Sequence, residues 1–255
     1  MKMKKSVLYC AGNTAAIRYA RQKLSDVGIT LADSAAADVT HLLLPVPSFE
    51  ASGHIKGGGS LEHLLGDLPD DITVIGGNLN HYALEGYRLV DLLADPIYTA
   101  ENAAITADCA IRIAGNNLET VFNGCPILII GWGRIGKCLA KQLGAMGADV
   151  TVSARKAHDI AMIEALGYRS AHTADLTAGL PYYRVIFNTV PAPVLSEAQI
   201  PLCHIKCVKI DLASRPGIAG HDVIWARGLP NQDAPEASGH LIAQTVIRYF
   251  REESI

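Results

Sequence analysis

The sequence predicts an α/β protein with two Rossmann-like, doubly wound parallel-sheet domains that are joined by a long helix. Short apolar runs alternate with helical patterns along all 255 residues. The runs are continuously apolar, which is typical of parallel strands covered on both faces. A glycine-rich turn, GWGRIG at 131–136, follows the most apolar run and precedes a helical pattern, as in nucleotide-binding βα units.

The amino-acid composition excludes several classes of protein. Apolar residues make up 49% of the chain and charged residues 18%, which excludes a disordered segment and a coiled coil. The net charge of −3 gives no reason to expect binding to nucleic acid or to an anionic membrane. No apolar stretch approaches the roughly 18 residues of a membrane span. The six cysteines are scattered, as in reduced cytosolic proteins, and we therefore expect a cytoplasmic location.

The sequence patterns that predict strands and helices are weaker in the first half of the chain than in the second half. We predict strands at 6–10, 29–32, 41–44, 71–75 and 87–92, and helices at 13–27 and 61–65. Asn13 has a short polar side chain suited to a helix N-cap, and Gly28 can end the same helix in a left-handed conformation. The run GGG at 57–59 predicts a surface loop, with a mobile lid over a cleft as the alternative.

The second half begins at a boundary that is marked by Asp95-Pro96. We predict a connecting helix at 107–122, which Thr106 begins and Asn123-Gly124 ends. Strands follow at 126–130, 150–153, 168–171, 185–188, 207–212 and 223–225, and a final helix follows at 236–250. Two βα domains in succession, 1–105 and 106–235, are the simplest organisation of this series.

The turn at 131–136 predicts a phosphate-binding site. Gly131 permits the tight turn, Gly133 lets the backbone approach a pyrophosphate, and Gly136 lets helix and strand pack closely. The remaining members of the turn are Trp132, Arg134 and Ile135. The N-terminus of the following helix supplies free N–H groups and the positive end of a dipole for the phosphates. A turn that is merely tight is the alternative, and the strand before it and the helix after it count against that alternative.

The residues after the next strand predict which dinucleotide is bound. NAD sites usually place Asp or Glu about 20 residues beyond the turn, where it binds the ribose 2′-hydroxyl. This chain has Ser153, Arg155 and Lys156 there, and the next acid is Asp159. A hydroxyl and two cations suit a 2′-phosphate, so we expect NADP(H) rather than NAD(H). Alternatively, the two cations only solvate the start of a helix.

Ligands of parallel sheets bind beyond the carboxyl ends of the strands, which predicts further site residues. The candidates for contact with the nicotinamide ribose are Asn188, Thr189, Val190 and Pro191. After the next strand, the candidates are Asp211 for the cofactor and Ser214 and Arg215 for the substrate. Arg215 is placed to bind a carboxylate with two parallel hydrogen bonds. In the first domain, Gly77 and Asn78 occupy the equivalent edge; each of these loops could alternatively serve only to turn the chain.

No metal site is predicted. Cys203, His204 and Cys207 are close in sequence, but no second cluster supplies a fourth ligand. Cys207 belongs to an apolar strand and is expected in the core. The sequence also lacks the motifs of serine hydrolases, zinc proteases and P-loop proteins.

Four segments resemble the family of dipicolinate synthase A subunits from spore-forming bacteria. They are TADCAI at 106–111, GWGRIG with SARK at 131–136 and 153–156, IDLASRPG at 210–217, and ARGLPNQDAPEASGHLIA at 226–243. The resemblance covers most of residues 71–250 and is weaker over 1–70. The chain departs from the family's pattern at Asp108-Cys109, at Asn231 and at Ala237-Ser238.

The resemblance implies the fold of the 2-hydroxy-acid dehydrogenases, with residues 1–105 as a substrate domain and 106–235 as an NAD(P)-binding domain. A C-terminal helix at 236–255 would pack on the first domain. The implied activity is NAD(P)-dependent oxidation of dihydrodipicolinate, or of its hydrated precursor, to dipicolinate. It would take place in the mother cell during sporulation, together with a flavoprotein-like B subunit. Arg215 would then bind a substrate carboxylate and Asp108 would accept a proton, unless Asp108 caps the connecting helix.

Two other functions stay open at the level of sequence. One is another NADP-dependent enzyme of the same fold, a 2-hydroxy-acid or shikimate-type dehydrogenase, although no pair of histidine and carboxylate is evident late in the chain. The other is a non-catalytic nucleotide-binding subunit that regulates a partner, because a Rossmann turn indicates binding and not chemistry. Formation of a homo-oligomer is left open as well.

Overall fold

The computed structural model describes residues 6–253, which form two compact units. The first unit comprises the chain up to Asn102 and again from Pro230 onward, and the second comprises Ala103–Leu229. Each unit is built on a sheet whose strand pairs are all parallel, with helices packed on it. This arrangement confirms the predicted α/β fold class.

The first unit contains, within the described residues, a five-stranded sheet in the order β2-β1-β3-β4-β5. Its strands are β1 (Val7–Cys10), β2 (Thr30–Ala32), β3 (His41–Leu43), β4 (Thr73–Gly76) and β5 (Arg88–Asp91). The N-terminal half contributes helices α1 (Ala15–Asp26) and α2 (Leu61–Gly66). All residues of the central strands β3 and β4 are buried, which explains why their sequences are mostly apolar, with a polar residue only at the first position of each, His41 and Thr73.

The N-cap of helix α1 is Thr14, one residue after the predicted cap. The Thr14 hydroxyl accepts a hydrogen bond from the Ile17 N–H at 3.2 Å. The N–H of Asn13, the expected cap, instead donates to the carbonyl of Gly57 at 2.8 Å. The glycine-rich loop is thereby tied through its backbone to the start of α1, as a surface loop held against the unit.

The connecting helix starts eleven residues before the predicted position: α3 spans Pro96–Asn117. The Asp95 carboxylate accepts hydrogen bonds from the N–H groups of Ile97 (2.7 Å) and Tyr98 (3.1 Å), and proline is favoured at the first helical position. Asp95-Pro96 is therefore the start of the helix and not only a boundary. Thr106 and Asp108 lie in the middle of α3, so the prediction that they begin or cap it is wrong.

The second unit contains, within the described residues, a six-stranded sheet in the order β11-β10-β9-β6-β7-β8. Its strands are β6 (Pro126–Ile130), β7 (Asp149–Ala154), β8 (Arg169–His172), β9 (Val185–Asn188), β10 (Val208–Asp211) and β11 (Val223–Trp225). Its helices α4 (Arg134–Ala145) and α5 (Ala157–Ala165) connect β6 to β7 and β7 to β8. All eleven predicted strands agree with the structure to within two residues at each end.

The strand order of this second sheet reverses between β6 and β9. The chain runs outward from β6 through β7 to β8, and it returns to β9 on the other side of β6 before continuing to β11. Open α/β sheets bind ligands in the crevice beyond the carboxyl ends of the two strands at such a reversal. The glycine turn at 131–136 directly follows β6 and therefore lies at this crevice.

Two helices end the described chain, α6 (Leu229–Asp233) and α7 (Pro235–Glu253). Helix α7 packs along α1, and Gly239 allows the close contact between them. A Cβ on Gly239 would lie 2.4 Å from the carbonyl oxygen of Ala16 and 2.9 Å from the nitrogen of Ala20. The first unit thus takes its strands from the N-terminal part of the chain and one of its helices from the C-terminal part. Among the helices of residues 6–253, none is both long and apolar enough to span a bilayer.

Candidate functional site

The glycine turn after β6 is shaped by two close contacts. Gly131 has a φ of +106°, and a Cβ on it would lie 2.5 Å from the Thr189 hydroxyl oxygen. A Cβ on Gly136 would lie 2.1 Å from the carbonyl oxygen of Gly131. The fold itself therefore requires glycine at both positions. These contacts agree with the predicted roles of Gly131 in the turn and of Gly136 in helix–strand packing.

Gly133 differs from these two glycines, because the protein leaves space around it. It is the N-cap of α4 with a φ of −80°, and a Cβ on it would have no neighbour within 4 Å. No side chain caps this end of α4, and its first turn contains no acidic residue. The N–H groups of this turn are thus available to an anion, and the missing side chain leaves room for one. The turn fits the pyrophosphate of a dinucleotide.

A cavity of about 370 Å³ opens beside the turn, at the carboxyl edge of the sheet. It is lined by Gly131, Trp132, Gly133, Ala154, Arg155, Lys156, Asp159, Thr173, Thr189, Val190, Pro191, Ala192, Pro193 and Val194. The structure therefore brings together the predicted turn, the predicted pair of cations and the predicted segment after β9. Arg134 and Ile135 do not line the cavity, since they begin α4 and are exposed and half-buried, respectively.

Thr173 is a lining residue that the sequence analysis missed. It directly follows β8, so the rule that ligands bind beyond the carboxyl ends of parallel strands could have found it. Its hydroxyl donates to the Ser153 hydroxyl at 3.3 Å. Ser153 is fully buried and does not line the cavity, contrary to the expectation that it contacts the cofactor directly. Ser153 instead supports Thr173 through this hydrogen bond.

Asn188 and Asp211 are also fully buried, and they form a network at the ends of β9 and β10. The Asp211 carboxylate accepts hydrogen bonds from the Asn188 amide (3.0 Å) and from three backbone N–H groups. Those groups belong to Ala213 (3.0 Å), Gly217 (2.7 Å) and Ile218 (3.0 Å). A buried carboxylate with four donors is fully satisfied, so it stabilises the loop after β10. The expectation that these side chains contact the cofactor directly is therefore corrected.

The Asn188 side chain in turn fixes the segment after β9. Its amide donates to the Val190 carbonyl at 3.0 Å and its oxygen accepts from the Val190 N–H at 2.9 Å. The Thr189 hydroxyl donates to the carbonyl of Ile130 at 3.0 Å. The segment that lines the cavity is thus held in place by the buried Asn188 side chain from beneath and by the hydroxyl of its own residue Thr189.

Ser214 and Arg215 lie in the loop that Asp211 holds, and both are exposed. Within the described part of its own unit, Arg215 has no hydrogen-bonding or ion-pairing partner. Asp211 thus fixes the loop backbone, and the loop places the unpaired guanidinium of Arg215 at the carboxyl edge of the sheet. That arrangement suits the predicted contact with a carboxylate.

Asp108 is not brought to this cavity. Its carboxylate, 65% exposed, faces the Arg112 guanidinium at 3.4 Å, one turn further along α3. In the first unit, the turn with Gly77 and Asn78 is held by Ser48, whose N–H donates to the Gly77 carbonyl at 2.8 Å. The Ser48 hydroxyl also accepts from the Gly77 N–H at 3.0 Å, while Asn78 is exposed with a φ of +55°. A substrate contact at Gly77 and Asn78 stays a prediction.

Among residues 6–253, no group of three or more His, Cys, Asp or Glu side chains is arranged to hold a metal ion. Cys207 lies in the core of the second unit, where burial raises the pKa of its thiol to about 12. Burial likewise raises the pKa of Cys203. Both shifts favour the protonated thiol, whereas a cysteine that ligates metal does so as the thiolate.

The two parallel sheets and the glycine turn at the strand reversal of the second one define a protein of two Rossmann-like α/β units. Within that class, the chain is similar to the A subunit of dipicolinate synthase from Bacillus subtilis (strain 168). The two sequences are 26% identical over an alignment of 233 residues that covers 84% of this chain and 78% of that protein. The resemblance inferred from the four sequence segments is confirmed.

Solved structures show the same fold. The dipicolinate synthase A subunit of Bacillus halodurans has a TM-score of 0.85 at 23% identity, covering 97% of this chain and 98% of its own. The Bacillus subtilis structure has a TM-score of 0.84 at 21% identity, covering 99% and 97%. A transhydrogenase from Sinorhizobium meliloti has a TM-score of 0.73 at 12% identity, covering 97% and 94%. No family model matches the chain.

Proposed function

We propose that the chain is an NADP(H)-dependent oxidoreductase that resembles the A subunit of dipicolinate synthase in its activity. Its reaction is the oxidation of dihydrodipicolinate, or of its hydrated precursor, to dipicolinate. The observation that carries the proposal is the cavity beside the β6–α4 turn, in which an anion-binding helix N-terminus and two cations lie at the strand reversal. The similarity to the dipicolinate synthase protein of Bacillus subtilis supports the choice of substrate.

Different residues of the cavity would bind different parts of the cofactor. The free N–H groups at the start of α4 would bind the pyrophosphate next to Gly133. Arg155 and Lys156 would bind the 2′-phosphate, because both are exposed and line the same cavity. The Thr173 hydroxyl, oriented by Ser153, is a further polar group at this end of the cavity.

The substrate is a dihydropyridine ring with two carboxylates, and its oxidation removes a hydride and a proton. The nicotinamide, when bound, supplies the acceptor for the hydride, and the proton passes to bulk water. Arg215 would hold one carboxylate through a bidentate contact and so orient the ring. Asn188 and Asp211 contribute by keeping the two loops at this edge in place.

We further propose that the protein works with a flavoprotein-like B subunit during sporulation, in the cytoplasm of the mother cell. The support for a partner is the name of the relative, which is one component of a synthase with several subunits. Full activity would then need both proteins.

A turnover assay tests this function. Dihydrodipicolinate would be generated in place by dihydrodipicolinate synthase, and dipicolinate would be measured by chromatography, with NADP⁺ or NAD⁺ and with or without the B subunit. We expect dipicolinate with NADP⁺, at a higher rate when the partner is present, and much less with Arg215→Met. Turnover of simple 2-oxo acids in place of dihydrodipicolinate would instead identify another dehydrogenase. Cofactor binding without any turnover, even with the partner present, would identify a regulatory protein.

A further inference from the structure

Trp225 connects the Arg215 loop to a second arginine. It ends the edge strand β11, and its indole N–H donates to the carbonyl of Ala213 at 3.0 Å. Ala213 lies two residues before Arg215 in the same loop. The guanidinium carbon of Arg227 lies 5.1 Å from the centre of the Trp225 ring. One half-exposed aromatic ring therefore contacts both the backbone that presents Arg215 and the side chain of Arg227.

The pairing of the strands puts both arginines at the same edge of the sheet. Strands β10 and β11 are parallel neighbours with Asp211 opposite Trp225, and the Ala226 N–H donates to the Asp211 carbonyl at 2.9 Å. Arg215 follows the carboxyl end of β10, and Arg227 follows the carboxyl end of β11. This is the edge at which parallel sheets bind their ligands.

The positive charge at this edge is not compensated by the neighbouring acids. The Asp211 carboxylate is saturated by its four hydrogen bonds, and the Asp222 carboxylate pairs with the buried Lys209 ammonium at 2.7 Å. Within the described residues of the second unit, neither Arg215 nor Arg227 has an ion pair. Both guanidinium groups are exposed, and no carboxylate of this described part of the chain neutralises them, so each is available to an anionic ligand.

We propose that Arg227, held on the face of Trp225, binds the second carboxylate of the substrate while Arg215 binds the first. The inference rests on the proposed function, because that substrate carries a carboxylate on each carbon next to the ring nitrogen. A guanidinium stacked on an aromatic ring keeps its N–H edge free for a bidentate contact. A 2-hydroxy acid with one carboxylate needs only one such residue, so Arg227 determines specificity for the dicarboxylate. Trp225 is a positioning residue.

The experiment measures binding of two probes by calorimetry in saturating NADP⁺. The probes are pyridine-2,6-dicarboxylate and pyridine-2-carboxylate, which differ by a single carboxylate. We expect the parent protein to prefer the dicarboxylate, and Arg227→Leu to bind it about ten- to a hundredfold more weakly. Binding of the monocarboxylate to this variant should stay within about threefold of the parent, since Arg215 is intact.

Further variants separate positioning from folding. Trp225→Leu should lose the preference for the dicarboxylate much as Arg227→Leu does, and Trp225→Phe should restore part of it because it keeps an aromatic face. The control is Arg169→Gln, which removes an exposed guanidinium paired with Asp149 at the start of β8 and should bind both probes like the parent.

The outcomes distinguish this inference from the proposed function. If the parent forms dipicolinate and Arg227→Leu keeps both that activity and the parental preference for the dicarboxylate, the inference is wrong and the proposed function stands. If the parent neither forms dipicolinate nor prefers the dicarboxylate, the proposed function fails and the inference fails with it.

Discussion

At the scale of single residues, two buried polar side chains organise the ligand-binding edge of the second sheet. Asp211 accepts four hydrogen bonds, and Asn188, opposite it on β9, exchanges two with the backbone of Val190. Both side chains are fully buried. They therefore influence a ligand only through the loops at 189–194 and 213–218.

Asp211→Asn should destabilise the protein, because the amide group would turn an N–H donor toward backbone donors that the carboxylate now satisfies. We expect a loss of about 2–4 kcal/mol in the free energy of unfolding, measured by denaturant titration. The matched control is Asp175→Asn, since the Asp175 carboxylate is 82% exposed and should matter little. Equal stabilities of the two variants would show that the network is not important for folding.

The two cations of the cavity lead to a prediction about cofactor choice. Replacing Arg155 and Lys156 by alanine should weaken NADPH binding by about 2–4 kcal/mol, because two charge-assisted contacts to the 2′-phosphate are lost. NADH binding should hardly change, and Arg169→Ala serves as a control for the loss of surface charge. Calorimetry that finds equal affinities of the parent for NADPH and NADH would contradict the assignment of NADP(H).

Two departures from the family's sequence pattern, Asn231 and Ser238, contact each other. The Asn231 oxygen accepts from the Ser238 hydroxyl at 3.0 Å, and its amide donates to the carbonyl of Val46 at 2.6 Å. This pair ties the start of α7 to the loop after β3. Both side chains thus contribute to a single connection within the first unit.

At the scale of elements, the segment formed by β6, the glycine turn and α4 contains two glycines with different roles. We expect one to be required by the fold and the other by the ligand. Gly136→Ala should destabilise the protein, because its Cβ would lie 2.1 Å from the Gly131 carbonyl oxygen. Gly133→Val should fold normally, since a Cβ there meets nothing within 4 Å, yet lose dinucleotide binding because the side chain would occupy the pyrophosphate site. Thermal unfolding and NADPH titration of both variants check this contrast. Normal binding by Gly133→Val would place the cofactor elsewhere.

The start of α3 shows why helix boundaries were harder to predict than strands. Aspartate before proline is a start signal for a helix and also a common mark of a domain boundary, and the predicted start at 107 rests on the second meaning alone. The apolar strands were predicted to within two residues because burial on both faces leaves a continuous apolar run. Helix α3 has no such run, and only its hydrogen bonds to Asp95 show where it begins.

At the scale of the whole molecule, the first unit is assembled from both ends of the chain. A chain truncated after Leu229 would lack α7 and expose the face of α1 that packs around Gly239. We expect this truncation to unfold the first unit, while the second unit keeps its structure and its affinity for NADPH. Hydrogen exchange resolved by segment, together with NADPH titration, measures both. Protection of β1 and α1 equal to that in the full chain would show that the first unit does not need α7.

The sequence by itself determined the α/β class, the strands, the glycine turn after β6 and the two cations beside it, because these depend on local pattern and on short spacing. Only the tertiary structure decided which polar residues reach the cavity. Asn188 and Asp211 end their strands at the correct edge and Ser153 lies one residue before the end of its strand, but their neighbours across the sheet bury them and use their hydrogen-bonding groups. Which strands are neighbours is a property of the folded chain, and so is the packing that brings Trp225 and Arg227 beside the Arg215 loop.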